Sequence, residues 1–267
     1  MKRIQLFEFE DFAWLPSQIR SGMTRLIRVL HRMNGTATII SQLLIEIRQK
    51  HPFLQIVDMG SGSGGPMLEV IDLLKQQLPN AMVRLLLTDA YPDKATVKSI
   101  NNLNRPDLSY SSTPLFAEDV GQAPGGIKTM VASFHHLRPE MARQVLKAAE
   151  DSRQPLFLYE LAPNSVPLLV WCLLLPLSLS LLFIMSWAMT PFVRPLSFPQ
   201  LVFTYIIPII PLAYAWDGQA SLMRTYTFKD IEELLENRKP KQYAWEMKRA
   251  TKSNGRPAGY YVFGYPT

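Results

Sequence analysis

The chain predicts an α/β fold built on a mostly parallel sheet, and three observations carry that prediction. Short apolar runs alternate with amphipathic helical stretches between Gln55 and Leu161, the pattern a parallel sheet requires. The first of those runs ends in a cluster of glycines placed directly ahead of a helix. Near the chain end, Tyr243 to Ala250 and Tyr260 to Tyr265 read as two strands around the turn Ser253-Asn-Gly-Arg-Pro257, so the sheet closes with an antiparallel pair.

The stretch Gln55-Ile-Val-Asp58-Met-Gly60-Ser-Gly62-Ser-Gly64-Gly65-Pro66 is a short buried strand bounded by Pro52, then a turn that lets a ligand reach bare backbone. A helix from Pro66 to Leu78 follows. Strand, glycine turn and helix N-terminus together make a nucleotide-type binding element. Gly60, Gly62 and Gly65 also fit G-x-G-x-x-G, with Asp89 ending the next strand, so this window leaves a dinucleotide site open. Asp58, two residues ahead of the first glycine, gives the order Asp-x-Gly-x-Gly-x-Gly. That order resembles the first motif of class I S-adenosylmethionine-dependent methyltransferases, whose sheet is Rossmann-like. The resemblance implies S-adenosyl-L-methionine as cofactor. It puts Asp58, Gly60, Ser61, Gly62 and Gly64 against the amino-acid part of the donor, and Asp89 with Ala90 at its ribose hydroxyls.

Composition sets the bounds. At 267 residues the chain can bury one sizeable core plus an appendage, and 48% hydrophobic with 19% charged residues is high for a fully soluble protein. A net charge of +6 suits an anionic membrane surface. Zinc spacing and basic runs with interleaved aromatics are both missing, so neither a metal nor nucleic acid is expected. The lone Cys172 sits in an apolar run and reads as packing or lipid contact. Phe7-Glu-Phe-Glu-Asp11 interrupts any signal-peptide core with acids.

Residues 1–51 read as a helical arm. Ile19, Met23, Leu26, Ile27, Leu30 and Met33 recur at helical spacing from about Pro16, with Arg20, Arg25, Arg28 and Arg32 on other faces. This basic amphipathic helix suits either a headgroup layer or a solvated domain surface. A second helix runs from about Thr38 to Lys50.

Residues 52–165 form the first part of the core. After the glycine turn come a strand from Met82 to Thr88, a helix near Lys94 to Leu103 and a weak strand near Ser109 to Leu115. Phe116-Ala-Glu118-Asp119-Val120 resembles the family's third motif and implies Asp119 and Val120 at the adenine. A fourth strand from Lys128 to Ser133 brings Ser133 into the donor set. It runs into Phe134-His135-His136-Leu137, and a helix opens at Arg138-Pro139-Glu140. Strand ends at the carboxyl edge of an open sheet are where ligands bind. His135 and His136 are therefore the catalytic candidates, able to take a proton from a hydroxyl acceptor, to orient a substrate, or merely to cap the helix. Strand five, Pro155 to Leu161, ends near Glu160, an acid placed either for substrate or for pairing with Arg138.

Val166 to Thr190 holds no charged residue and, as a helix, reaches the ~30 Å of a bilayer core. A second uncharged run from Leu196 to Trp216 is bent by Pro199, Pro208 and Pro211. Residues 166–216 thus predict an inserted transmembrane or membrane-associated hairpin, with re-entrant or monotopic placement as the alternative. Residues 217–267 return to the core, with a helix from about Tyr226 through Asn237. Asp217, Arg224 and Tyr226, where the chain leaves the apolar run, are candidate substrate contacts together with Glu160. Interfacial anchoring explains the same residues. If the terminal strands complete the same sheet, the chain leaves and re-enters the bilayer on one side.

The expectation is a membrane-associated methyltransferase, its catalytic part on the cytoplasmic face, acting on a lipid-like or other hydrophobic small molecule. The alternatives are an NAD(P)-dependent membrane-associated oxidoreductase and a non-catalytic membrane module that keeps the fold.

Overall fold

The computed structural model describes residues 1–236 and 242–267. The chain forms two compact units: a sheet unit of residues 35–162 and 228–267 with Met1, and a helical unit of residues 2–34 and 163–227. The two N-terminal helices divide between them. Helix α1 (Ser17–Asn34) belongs to the helical unit and α2 (Thr36–Lys50) to the sheet unit. Gly35 separates them at φ +67°, a left-handed turn that glycine adopts without a Cβ penalty.

The sheet unit alternates strands and helices as anticipated: β1 (Gln55–Met59), α3 (Met67–Gln77), β2 (Arg84–Thr88), α4 (Lys94–Asn101) and β3 (Leu108–Tyr110). β4 (Ile127–Val131), α5 (Pro139–Ser152) and β5 (Leu156–Glu160) follow. Strand order is β3-β2-β1-β4-β5, then β7 (Pro257–Pro266), then β6 (Tyr243–Thr251). The first five strands pair in parallel, whereas β7 runs antiparallel to both β5 and β6. The core lies on the faces of the central strands. Ile56, Leu85, Leu87, Ile127 and Phe157 pack with Val70, Ile71 and Leu74 of α3 and Ile40 and Leu44 of α2.

The sheet's largest departure from expectation is its third strand, while β2 starts two residues later than anticipated and β7 three residues earlier. The third strand ends at Tyr110, short of Leu115, because Ser111 turns its hydroxyl back on the local backbone and Pro114 has no N–H for a ladder. The helix anticipated from Tyr226 to Asn237 is α9 (Phe228–Leu234), and Asn237 lies outside the described residues.

In the helical unit, α6 (Leu168–Met189) continues through a tight turn, so that residues 168–192 form one helix long and apolar enough to cross a bilayer, with mean hydropathy 2.6. Few of its residues are buried, and Leu169, Leu173, Leu177, Leu181, Ile184 and Trp187 are exposed. Cys172 is exposed on it too. The second apolar run is broken. It comprises α7 (Phe198–Leu201), a wide π turn over Val202–Ile206, and α8 (Ile209–Arg224), bent by 79° at the break. Pro208 removes a helical donor where the bend falls. The core of this unit is Leu15, Ile19, Met23, Leu26 and Val29 against Met189, Val193, Ile210, Ala213 and Tyr214.

Candidate active site

The carboxyl edge of β1 is where the sheet unit exposes its backbone. Gly60, Gly62, Gly64 and Gly65 all have positive φ, at +70°, +51°, +89° and +45°. Among the described residues, no heavy atom lies within 4 Å of where a Cβ on Gly62 or Gly65 would stand, so the turn faces open space. Gly60 faces Ser133 at the end of β4, whose side chain would be 3.4 Å from a Cβ there. The turn closes on itself through Ser61 O, which accepts from Gly64 N–H at 2.7 Å, and it leads into α3.

Asp58 is buried beneath the turn. Ser61 Oγ and Thr129 Oγ1 each donate to its carboxylate at 2.6 Å. Burial pushes its pKa up to about 6, the hydroxyl contacts pull the other way, and the charge of Asp89 adds to the rise. Asp89 sits past β2, accepting Gly62 N–H at 2.9 Å on one oxygen and Tyr91 N–H at 2.8 Å on the other. A carboxylate has about four acceptor sites, so two remain for a diol. Tyr110 Oη donates to Gly62 O at 2.9 Å, and burial, reinforced by Asp89, Asp58 and Asp93, raises the pKa of that phenol. Ala90 is half-buried beside Asp89. Asp119 and Val120 lie in a 3-10 segment, Ala117–Gln122, beyond β3. Asp119 accepts from Gln122 and Val120 is fully buried. The neighbouring Glu118 Oε2 is buried with no partner among the described residues.

Glu160, at the end of β5, holds His135 by two atoms: Oε1 accepts the His135 N–H at 3.1 Å and Oε2 lies 2.9 Å from Nδ1. Glu160 thus pairs with His135, a partner outside the two anticipated for it, a substrate and Arg138. Both side chains are nearly fully buried. A carboxylate only accepts, so the Nδ1 contact is an N–H donated to Glu160. His136 stacks obliquely on His135, with centroids 4.4 Å apart.

No family model and no curated protein matches this sequence. Solved structures do match it. One is the plantazolicin methyltransferase BpumL in complex with a monoazolic desmethylPZN analog and SAH, at TM-score 0.51 and 12% identity over 94% of this chain and 97% of that one. A second is human N-acetylserotonin methyltransferase in complex with SAM, at TM-score 0.50 and 11% identity over 94% of this chain and 55% of that one. The fold is that of the class I methyltransferases. At these identities the likeness concerns the fold, and the methyltransferase sheet is what β3-β2-β1-β4-β5-β7-β6 reproduces.

The remaining sequence candidates lie in the helical unit and are engaged with the N-terminal segment. Asp217 accepts the N–H groups of Phe9 at 2.7 Å and Glu10 at 3.1 Å. Arg224, 2% exposed, pairs with Asp11 at 2.6 Å and Glu8 at 3.2 Å. Tyr226 is fully buried under the Arg3 guanidinium, 4.8 Å from the ring centroid.

Sequence reasoning passed over Thr129, Tyr110 and Glu118. Thr129 had a signal, being a polar residue inside an otherwise buried strand, and it pairs across the sheet with Asp58. Ala132 had none. Its φ of +49° at the end of β4 is a left-handed backbone in a residue that rarely adopts one.

Proposed function

We propose that the chain is an S-adenosyl-L-methionine-dependent methyltransferase that methylates a hydroxyl on a hydrophobic small molecule taken from a lipid bilayer. The observation that carries the donor assignment is the glycine turn, bare and at positive φ, with Asp89 beside it. The residues present fit the donor: open space stands before Gly62 and Gly65, Asp89 has acceptor capacity for a ribose diol, and Glu118 offers an orphan acceptor to an exocyclic amine. A nicotinamide site on the same turn is disfavoured because β7 enters antiparallel between β5 and β6.

The bound donor supplies a methyl group on sulfonium, a neutral and good leaving group, so the protein's work is positioning and exclusion of water. Gly60, Ser61, Gly62 and Gly64 hold backbone against it, while Asp58, fixed by Ser61 and Thr129, puts negative charge beneath the turn. His135, oriented by Glu160, is the group placed to accept the proton of the attacking hydroxyl. The pairing of these two buried groups favours a hydroxyl acceptor, since an amine or carboxylate needs no such base. His136 supports the ring from the side.

Membrane association is supported by α6, which exposes a long face of Leu169, Leu173, Leu177, Leu181, Ile184 and Trp187. With chain entry and exit both joined to the sheet unit, the catalytic part stays on one face, the cytoplasmic one. Arg138, Arg153, Arg224, Lys229 and the arm outweigh Arg194 under the positive-inside rule. Incubating purified protein with isotopically labelled donor and a cellular lipid extract, followed by mass analysis, tests the whole reading. Label in an ether of a hydrophobic alcohol or phenol is expected. Label only in aqueous compounds would remove the bilayer acceptor, and no label with any acceptor would remove the activity.

A further inference from the structure

Gln200 is out of place in the apolar core of the helical unit. Its side chain is 1% exposed, and neither Oε1 nor Nε2 has a hydrogen-bond partner among the described residues. The hydroxyl of Tyr214, 5% exposed, is in the same condition. A buried amide or hydroxyl left without partners disfavours folding, and an apolar side chain at either position would remove that penalty. The two groups belong to one locality. Gln200 Oε1 lies 3.1 Å, and Ile210 Cδ1 2.4 Å, from where a Cβ on Gly22 would stand, so α1 presents bare backbone at this point. Tyr214 follows Ile210 by four residues on the same face of α8, about one helical turn away. Thr190 and Thr204, both fully buried with hydroxyls 3.5 Å apart, add a second polar pair. Ile210 and Tyr214 belong to the same apolar cluster as Met23, Leu26, Met189 and Val193, with Phe203 packed against it.

The backbone is irregular in the same place. Gln200 stands just ahead of the π turn Val202–Ile206, and the 79° bend follows at Pro208. Such turns are frequent at functional sites. In apolar surroundings, a broken helix with inward polar groups commonly lines a binding cavity.

We propose that Gln200 and Tyr214 form a recognition point for a neutral amphiphile, a hydrocarbon body bearing an uncharged hydroxyl or carbonyl. The amide both donates and accepts, as a hydroxyl does, and the Tyr214 hydroxyl completes the set. Gln200, Tyr214, Thr190 and Thr204 are all uncharged. The nearby Arg25, one turn along α1 from Gly22, already donates to Ser197 Oγ at 2.9 Å. An anionic head is therefore the poorer occupant. The site stands on the helical unit alone and does not depend on methyl transfer.

The test uses the full-length protein in nanodiscs and a photoactivatable long-chain alcohol, with crosslinks mapped by peptide mass spectrometry. The expected result is labelling within residues 196–216, competed by the unlabelled alcohol and not by the fatty acid of equal length. Gln200→Leu and Tyr214→Phe are each expected to weaken it about tenfold, the worth of one hydrogen bond. Gln200→Leu should also leave the unliganded thermal midpoint unchanged or raised, because it removes an unpaired amide. Labelling of Gln200→Leu at the wild-type level would overturn the proposal. So would better competition by the fatty acid, a lowered midpoint that marks Gln200 as structural, or no labelling at all, which would leave ordered water as the amide's only partner.

Discussion

Asp58→Asn isolates the charge buried under the glycine turn. Asp58 is 3% exposed in β1, an interior strand of the sheet. Burial, as the largest cause, lifts its pKa from 3.8 to about 6 against the pull of the Ser61 and Thr129 hydroxyls. A carboxyl raised by folding binds its proton more tightly in the native state. Between those two values the folded chain therefore holds more protons than the unfolded one, and stability falls as pH rises through the window. The penalty is absent below about pH 4 and complete above about pH 6. At ~1.36 kcal/mol per pH unit, the interval amounts to about 3 kcal/mol. Asparagine carries no such charge, though it loses one acceptor, a cost that does not vary with pH. The stability of Asp58→Asn relative to wild type should therefore climb by about 3 kcal/mol between pH 4 and pH 7, whatever its starting offset. Urea unfolding of both proteins at half-unit pH steps measures this, and the slope, not the offset, is the readout. A difference that stays flat across the window would refute the account of Asp58 as a charge held against its desolvation. A cationic donor above the turn should pull the same pKa down, so donor binding near pH 6 should release a proton in wild type and none in Asp58→Asn.

Gly62→Arg should abolish donor binding in calorimetry while leaving the fold intact, because its side chain fills the open space before the turn and opposes a positive φ; wild-type affinity would mean that the donor lies elsewhere. His135→Ala should lower kcat by roughly 10²–10⁴-fold, with the donor Kd unchanged. Glu160→Gln should lower kcat too and shift its pH profile, since an amide lets Nδ1 lose its proton and reverses the tautomer. Equal activity in both variants would leave the pair as packing. Leu173→Glu with Leu177→Glu should release the protein from lipid vesicles in a sedimentation assay without changing donor affinity. Continued sedimentation would exclude α6 as the anchor.

Much of the sheet unit was legible because its signals are local. Apolar runs of four to six residues, glycines after the first of them and a proline opening α5 each act within a few positions of themselves. Asp58 and Asp89 were readable for the same reason, since each stands at a fixed offset from a strand end. Thr129 was not, because its partner Asp58 is 71 residues away and meets it only through parallel pairing of β1 with β4. The choice of Glu160 for His135 was hidden likewise, one acid at the end of β5 and one ring beyond β4. The bend in the second apolar run was foreseeable from Pro208, but its companion, a π turn with a buried Gln200 ahead of it, was not.

The order of residues by itself determined the elements, the glycine turn and the length of apolar chain that cannot be hydrated, because backbone preference and hydrophobicity are properties of short stretches. Folding in three dimensions alone decided which polar groups meet: Thr129 with Asp58, Glu160 with His135, Asp217 and Arg224 with the N-terminal segment, and Gln200 with no partner among the described residues. Hydrogen bonds and ion pairs form over about 3 Å between residues that the sequence holds tens or hundreds of positions apart, and only packing brings them within that range.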